Sequence, residues 1–177
     1  MLSPEAFQEQ WGESGANLVR FPVLDDSIPD DARVFLRRAG LPDAAPPFLS
    51  FGARHTGPAS DFADLGLDLS RFHPLGNSGN GDPIVIEYGS GHILEFEHDS
   101  ECAEPVFMNS SPMQLAASLL VYRHLVRVTI ERNGADAFLA SDFPEDALAA
   151  AAAAVREIDT LAMEPGAFWA DELIPAA

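Results

Sequence analysis

The sequence contains no lysine, so all ten of its basic residues are arginine. It contains one cysteine, Cys102, which excludes an internal disulfide and fits a reducing compartment. It has no apolar run approaching the roughly 18 residues a membrane span needs. The longest weakly polar stretch, Ala149 to Val155, is short and alanine-rich, so no membrane association is expected. The opening segment, MLSPEAFQEQWGE, has neither the basic nor the apolar region of a secretory signal, and a cytoplasmic protein is expected. Positive charge is scarce throughout: 28 acids face 10 bases, for a net charge of −18. Such a field repels a phosphate backbone and argues against a nucleic-acid partner. It favours fast encounter with a basic protein, or it serves solubility alone.

What is present is a chain able to fold. Its 177 residues are 47% hydrophobic, enough for one domain spanning residues 1–177 around its own core. Ser3-Pro4-Glu5 starts a short helix that ends near Trp11, before Gly12 and Gly15. Leu18 to Leu24 reads as extended chain. A helix over about Pro29–Ala39 has acids in its first turn, arginines in its last, and Gly40 and Pro42 beyond it. PFLSFG and LSRFHPLG read as strands, with a loop-like stretch at 53–68 between them.

PIVIEYGSGHILEFEHD is the clearest hairpin. A turn at Gly89-Ser90-Gly91 would pair Tyr88 with His92, Ile86 with Leu94 and Ile84 with Phe96. One face would then be apolar and the other, with Val85, Glu87, Ile93 and Glu95, mostly acidic and solvated. PVFMN is a further strand. Ser111, Pro112 and Gln114 open a long helix with a capping box, closed by Asn133-Gly134. A last helix is expected to start near Asp142, capped there, and to run through the alanines to about Met163. An aromatic tail follows and docks on the body, so residues from about 142 to 177 form an alanine-rich helix plus tail. The sum is α+β: a mainly antiparallel central sheet flanked by helices.

GNSGNGDP, Gly76 to Pro83, suggests a phosphate cradle, which needs glycines and a following helix N-terminus. Here a strand follows, no Lys-Ser/Thr pair is present, and Asp82 would repel an anion. Gly76, Gly79, Gly81 and Asp82 therefore read as a structural turn between strands. His92, His98 and Cys102 are metal-ligand types. However, the two histidines would lie about 20 Å apart on an extended strand, so no metal and no cofactor is expected. EHDSEC, Glu97 to Cys102, holds His, Asp, Ser and Cys together, but sequence neighbours rarely make a catalytic constellation. Between Arg71 and Arg123 no arginine occurs, while acids recur. Glu87, Glu95, Glu97 and Asp99 are the candidate contacts for a basic partner.

The order IPDDARVFLRRAGLP, LGNSGNGDPIVIEYGSGHILEFEHD, VFMNSSPMQLAASLLVYR resembles the SUKH superfamily of bacterial immunity proteins, most closely its fourth group. The likeness covers about residues 18 to 125. It implies a SUKH-like (SMI-type) α+β fold and a non-enzymatic antidote that binds a cognate toxin, often a nuclease or nucleic-acid deaminase. Gly76, Gly79, Gly81, Asp82, Asn109 and Ser111 fall at recurring positions and read as scaffold. The alanine-rich helix and the tail lie outside the likeness. A monomer or weak dimer is expected. Two other readings stand beside this one: a regulatory scaffold of the same superfamily without a toxin partner, and a small hydrolase using the Glu/His/Asp cluster at 95–99.

Overall fold

The computed structural model describes residues 2–12, 17–52, 66–97 and 105–174. In chain order the elements are helix α1 (Pro4–Gly12), strand β1 (Leu18–Val19), helix α2 (Asp30–Arg38) and strands β2 (Leu41–Pro42), β3 (Ala44–Ala45), β4 (Leu49–Phe51), β5 (Phe72–Asn77), β6 (Pro83–Glu87), β7 (Ile93–Phe96) and β8 (Pro105–Asn109). Helices α3 (Pro112–Asn133) and α4 (Glu145–Ile158), a 3-10 turn at Thr160–Met163 and helix α5 (Phe168–Leu173) complete them. Strands β3 to β8 form a six-stranded antiparallel meander in sequence order, and β1 pairs with β2. The class is α+β.

The helix boundaries follow local chemistry. Ser3 Oγ accepts the Ala6 N–H at 3.1 Å and opens α1. Arg123 on α3 donates to the Gln10 and Trp11 carbonyls at 2.7 and 3.2 Å and lies over the Trp11 ring. A cation thus closes the negative end of α1. Gly40, at φ +76°, ends α2 in a conformation L side chains resist. Ser111 Oγ accepts the Gln114 N–H and donates to Gln114 Oε1, fixing the start of α3, and Gly134 closes it.

Two expectations are corrected here. The β6–β7 loop is one residue longer than a three-residue turn: Glu87 N–H donates to the His92 carbonyl at 2.9 Å and Gly91 N–H to the Glu87 carbonyl at 3.0 Å. Ile84 therefore faces Glu95, Val85 faces Leu94 and Ile86 faces Ile93. The slip moves Glu95 onto the same face as Ile84, Ile86 and Ile93, which pack under the helices. The opposite face is not a solvated acidic surface. Val85, Leu94 and Phe96 are buried there in a second apolar cluster with Leu67 and Phe72.

The second correction concerns α4. It starts at Glu145 without a side-chain cap from Asp142 and ends at Ile158, five residues short of Met163. It ends because Asp159 turns to extended backbone and sends its carboxylate inward. That carboxylate accepts the Ser110 N–H at 2.6 Å, the Ser110 hydroxyl at 3.0 Å and the Asn109 amide at 3.3 Å. Asn109 in turn reaches Ser118 on α3 at 3.3 Å and accepts the Trp169 indole N–H at 2.8 Å. Gln114 donates to the Ile158 carbonyl at 3.1 Å. The segment Asn109-Ser110-Ser111 thus joins the last strand to three helices through one buried polar network. Trp169 is fully buried, and with Phe168 it docks the tail onto the core.

Glycine is required at Gly76, inside β5 beside a bulge. A Cβ there would stand 2.0 Å from the Ser50 carbonyl oxygen on β4. At Gly81, φ is +90° but nothing lies within 4 Å of a Cβ. Chemical denaturation should therefore rank Gly76→Ala as the more damaging, at about 3 kcal/mol or more, against about 1 kcal/mol for Gly81→Ala. Asp159→Ala, which removes the acceptor of the Ser110 N–H, the Ser110 hydroxyl and the Asn109 amide, should cost about 2–4 kcal/mol in the same experiment. Equal effects for the two glycines would contradict the close approach of β4 to β5.

Candidate functional site

The meander and the final helix meet at a double cleft. One lobe, of about 460 Å³, is lined by Ser78, Gly79, Asn80 and Asp82 of the β5–β6 connection, by Glu95 and Val106, and by Phe168 of α5. The other, also about 460 Å³, is lined by Tyr122 of α3, Phe138, Leu139 and Phe143 of the α3–α4 connection, and Ile174. Pro47, Phe48, Asp171 and Glu172 line both lobes. Phe48 has φ +66°, a region bulky side chains rarely adopt, and the residue is 58% exposed. It stacks on Phe138 with ring centroids 5.3 Å apart.

The glycine connection forms one wall of the first lobe. Ser78 N–H donates to the Asp82 carbonyl at 2.9 Å, Gly81 N–H to the Ser78 carbonyl at 3.0 Å, and Asp82 N–H to Ser78 Oγ at 3.3 Å. Ser78 Oγ also donates to the Asp82 carboxylate at 3.1 Å. These three amides are used within the loop, and the Asp82 carboxylate stands among the groups that line the lobe. Gly79 lets the loop pass close to Phe48, whose Cβ would be 2.8 Å from an added methyl.

Glu95 is the electrostatic centre of the lobe. Burial first, then the nearby Asp82 and Glu172 charges, push its carboxyl up to about 7, against the pull of a Ser78 hydrogen bond. Glu172 is also raised, by burial and by Asp171, although it accepts the Tyr122 hydroxyl at 3.0 Å. The Tyr122 phenol is raised by burial and by that carboxylate. Four carboxylates thus share a partly desolvated cleft, with no arginine lining it among the described residues. Such a cleft suits a cationic guest, whose charge would offset both the burial and the mutual repulsion.

The sequence-selected acids do not converge. Glu87 projects to the opposite sheet face, where Arg71 reaches it at 3.3 Å and Ser90 donates to it at 2.7 Å. Glu97 is exposed just beyond β7, and Asp99 lies outside the described residues. Ser111 and Gln114 cap α3 away from the cleft. The His92 ring stands edge-on to Phe107 at 5.4 Å; His98 and Cys102 lie outside the described residues. Among the described residues no group of three or more His, Cys, Asp and Glu side chains is arranged to hold a metal. Asp171, Glu172 and Phe48 were not legible as site residues, because nothing local marks a tail helix and a proline-flanked turn as neighbours.

Glu95 generates a pH test. Its folded pKa lies above the ordinary carboxyl value, so its ionisation opposes folding. The penalty is absent below about pH 4.5, accumulates as pH rises from there to about 7, and is constant above it. Glu95→Gln should therefore stabilise the protein at pH 8 by on the order of 2 kcal/mol, with the gain vanishing towards pH 4.5. Urea midpoints across that range measure it; a gain independent of pH would show that repacking, not charge, is responsible.

Among the described residues no helix is long and apolar enough to cross a membrane. No curated protein and no solved structure matches the chain. The family model described as SUKH-4 immunity protein matches residues 2–174, well beyond the 18–125 over which the motifs alone carry the likeness. It takes in the alanine-rich helix and the docked tail, whose Asp159 and Trp169 bond to the Asn109-Ser110 pair. With the match extending over nearly all of its length, this chain belongs to the SUKH-4 immunity protein family.

Proposed function

We propose that this chain is a non-enzymatic cytoplasmic immunity protein that neutralises one cognate toxin domain, of nuclease or deaminase type, by docking an acidic surface over a basic active-site cleft. The observation that carries the reading is family membership over residues 2–174 combined with a net charge of −18 and no lysine. An enzyme that handles nucleic acid exposes cationic side chains around its active site, and an acidic protein is the complement of that field. Long-range charge then sets the encounter rate, and buried contacts set the residence time.

Of the four carboxylates selected from the sequence, Glu95 and Glu97 are the ones we assign to this face, with Asp82, Asp171 and Glu172 beside them. Glu87 already has an arginine partner on the other side of the sheet. The reading is tested by recovering the partner from the host by affinity capture with mass spectrometry and expressing it with and without this chain. Growth should be restored only when both are present. Glu95→Lys combined with Glu97→Lys should slow association at least tenfold at low salt, with the difference shrinking as salt rises. Failure of the chain to protect against any captured toxin would remove the immunity reading. Protection with unchanged rates would remove only the assignment of the face.

A further inference from the structure

Of the seven large hydrophobic side chains that stand exposed among the described residues, three line the second lobe of the cleft: Phe48, Leu139 and Ile174, at 58%, 71% and 47% exposure. They come from three separate stretches of chain, brought together by the docking of α5 and of the α3–α4 connection. Isolated exposed apolar residues are ordinary, but three converging on one groove form a patch of the kind proteins use for association. The groove shares a wall with the acidic lobe, since Asp171 and Glu172 line both. Among the described residues no basic side chain lines either lobe.

We propose that this groove receives a short apolar segment of the partner that carries an arginine or lysine. Its apolar side chains lie on Phe48, Leu139 and Ile174, and its cation crosses the shared wall to Asp171, Glu172 and Glu95. Charge complementarity selects the occupant. A purely apolar segment would leave the carboxylates desolvated and unpaired, and an acidic one would be repelled. A cation over the exposed Phe48 ring gains a further contact from the ring face. The proposal rests on the immunity reading for the partner's role, while the groove and its chemistry stand without it. It places the apolar residence-time contacts of the complex in a groove built by the turn at Phe48, the α3–α4 connection and the end of α5.

The probe is the peptide acetyl-Leu-Arg-Leu-amide, titrated at millimolar concentration into the isotope-labelled protein and followed by NMR. Saturable shifts are expected at Phe48, Leu139, Glu172 and Ile174, with at least tenfold weaker binding of the analogue in which citrulline, neutral and nearly isosteric, replaces arginine. Shifts absent, scattered over the surface, or equal for the two peptides overturn the proposal. A groove occupied instead by a second copy of this chain would appear as a concentration-dependent dimer in sedimentation, abolished by Leu139→Ser, and would also overturn it. With the captured toxin, Leu139→Ser combined with Ile174→Ser should raise the dissociation rate at least tenfold while thermal unfolding stays close to the parent. If the parent protects and this variant binds as well, the groove assignment fails and the immunity role survives. If the peptide binds as expected while no toxin is neutralised, the groove stands and the immunity role fails.

Discussion

The carboxylate of Asp159 holds the architecture to its function. It is almost completely buried and meets the Ser110 backbone N–H, the Ser110 hydroxyl and the Asn109 amide. A polar group in that position is tolerated because each of its oxygens is satisfied. Through Asn109 the same network reaches the Trp169 indole, and through Gln114 it reaches the end of α4. Breaking one member would strand the others, which makes the geometry of the last strand, α3, α4 and α5 a single cooperative choice.

The candidate site inherits that rigidity. Asp171 and Glu172 follow Trp169 on a helix of only one and a half turns, too short to hold itself. Their positions come from the buried indole, from Leu173 and from the Tyr122 hydroxyl on Glu172. Glu95 arrives from the sheet, and Phe48 from a turn wedged against Gly79. The cleft therefore contains groups that repel one another or sit in strained backbone, supported by a network that is fully hydrogen-bonded. Destabilised groups held by an over-determined scaffold are a common mark of a binding surface.

Much of the scaffold was legible in the sequence because its signals are local. The caps at Ser3 and Ser111 and the stops at Gly40 and Gly134 all act within a few residues. So did the family motif, whose Asn-Ser-Ser segment turned out to be the polar staple. The hairpin register was not legible: one additional loop residue is chemically inexpensive in the sequence Tyr88-Gly89-Ser90-Gly91, yet it reassigns Glu95 from solvent to cleft. The end of α4 was not legible either. No glycine or proline stands between Val155 and Met163 to mark a stop, and a tertiary partner 49 residues away, Ser110, draws Asp159 out of the helix. The site was least legible of all, since Phe48, Glu95 and Glu172 share no sequence pattern and meet only through folding.

The order in which the groove is built has a consequence for biosynthesis. The meander joins neighbours in sequence and can pair as it leaves the ribosome, but the groove draws its walls from residues 47–48, from 138–143 and from 171–174. A nascent chain holding only the sheet and α3 has no acidic wall and no Ile174. The surface comes into being in one late step, when the tryptophan of α5 finds its asparagine, so unfinished translation products cannot display it.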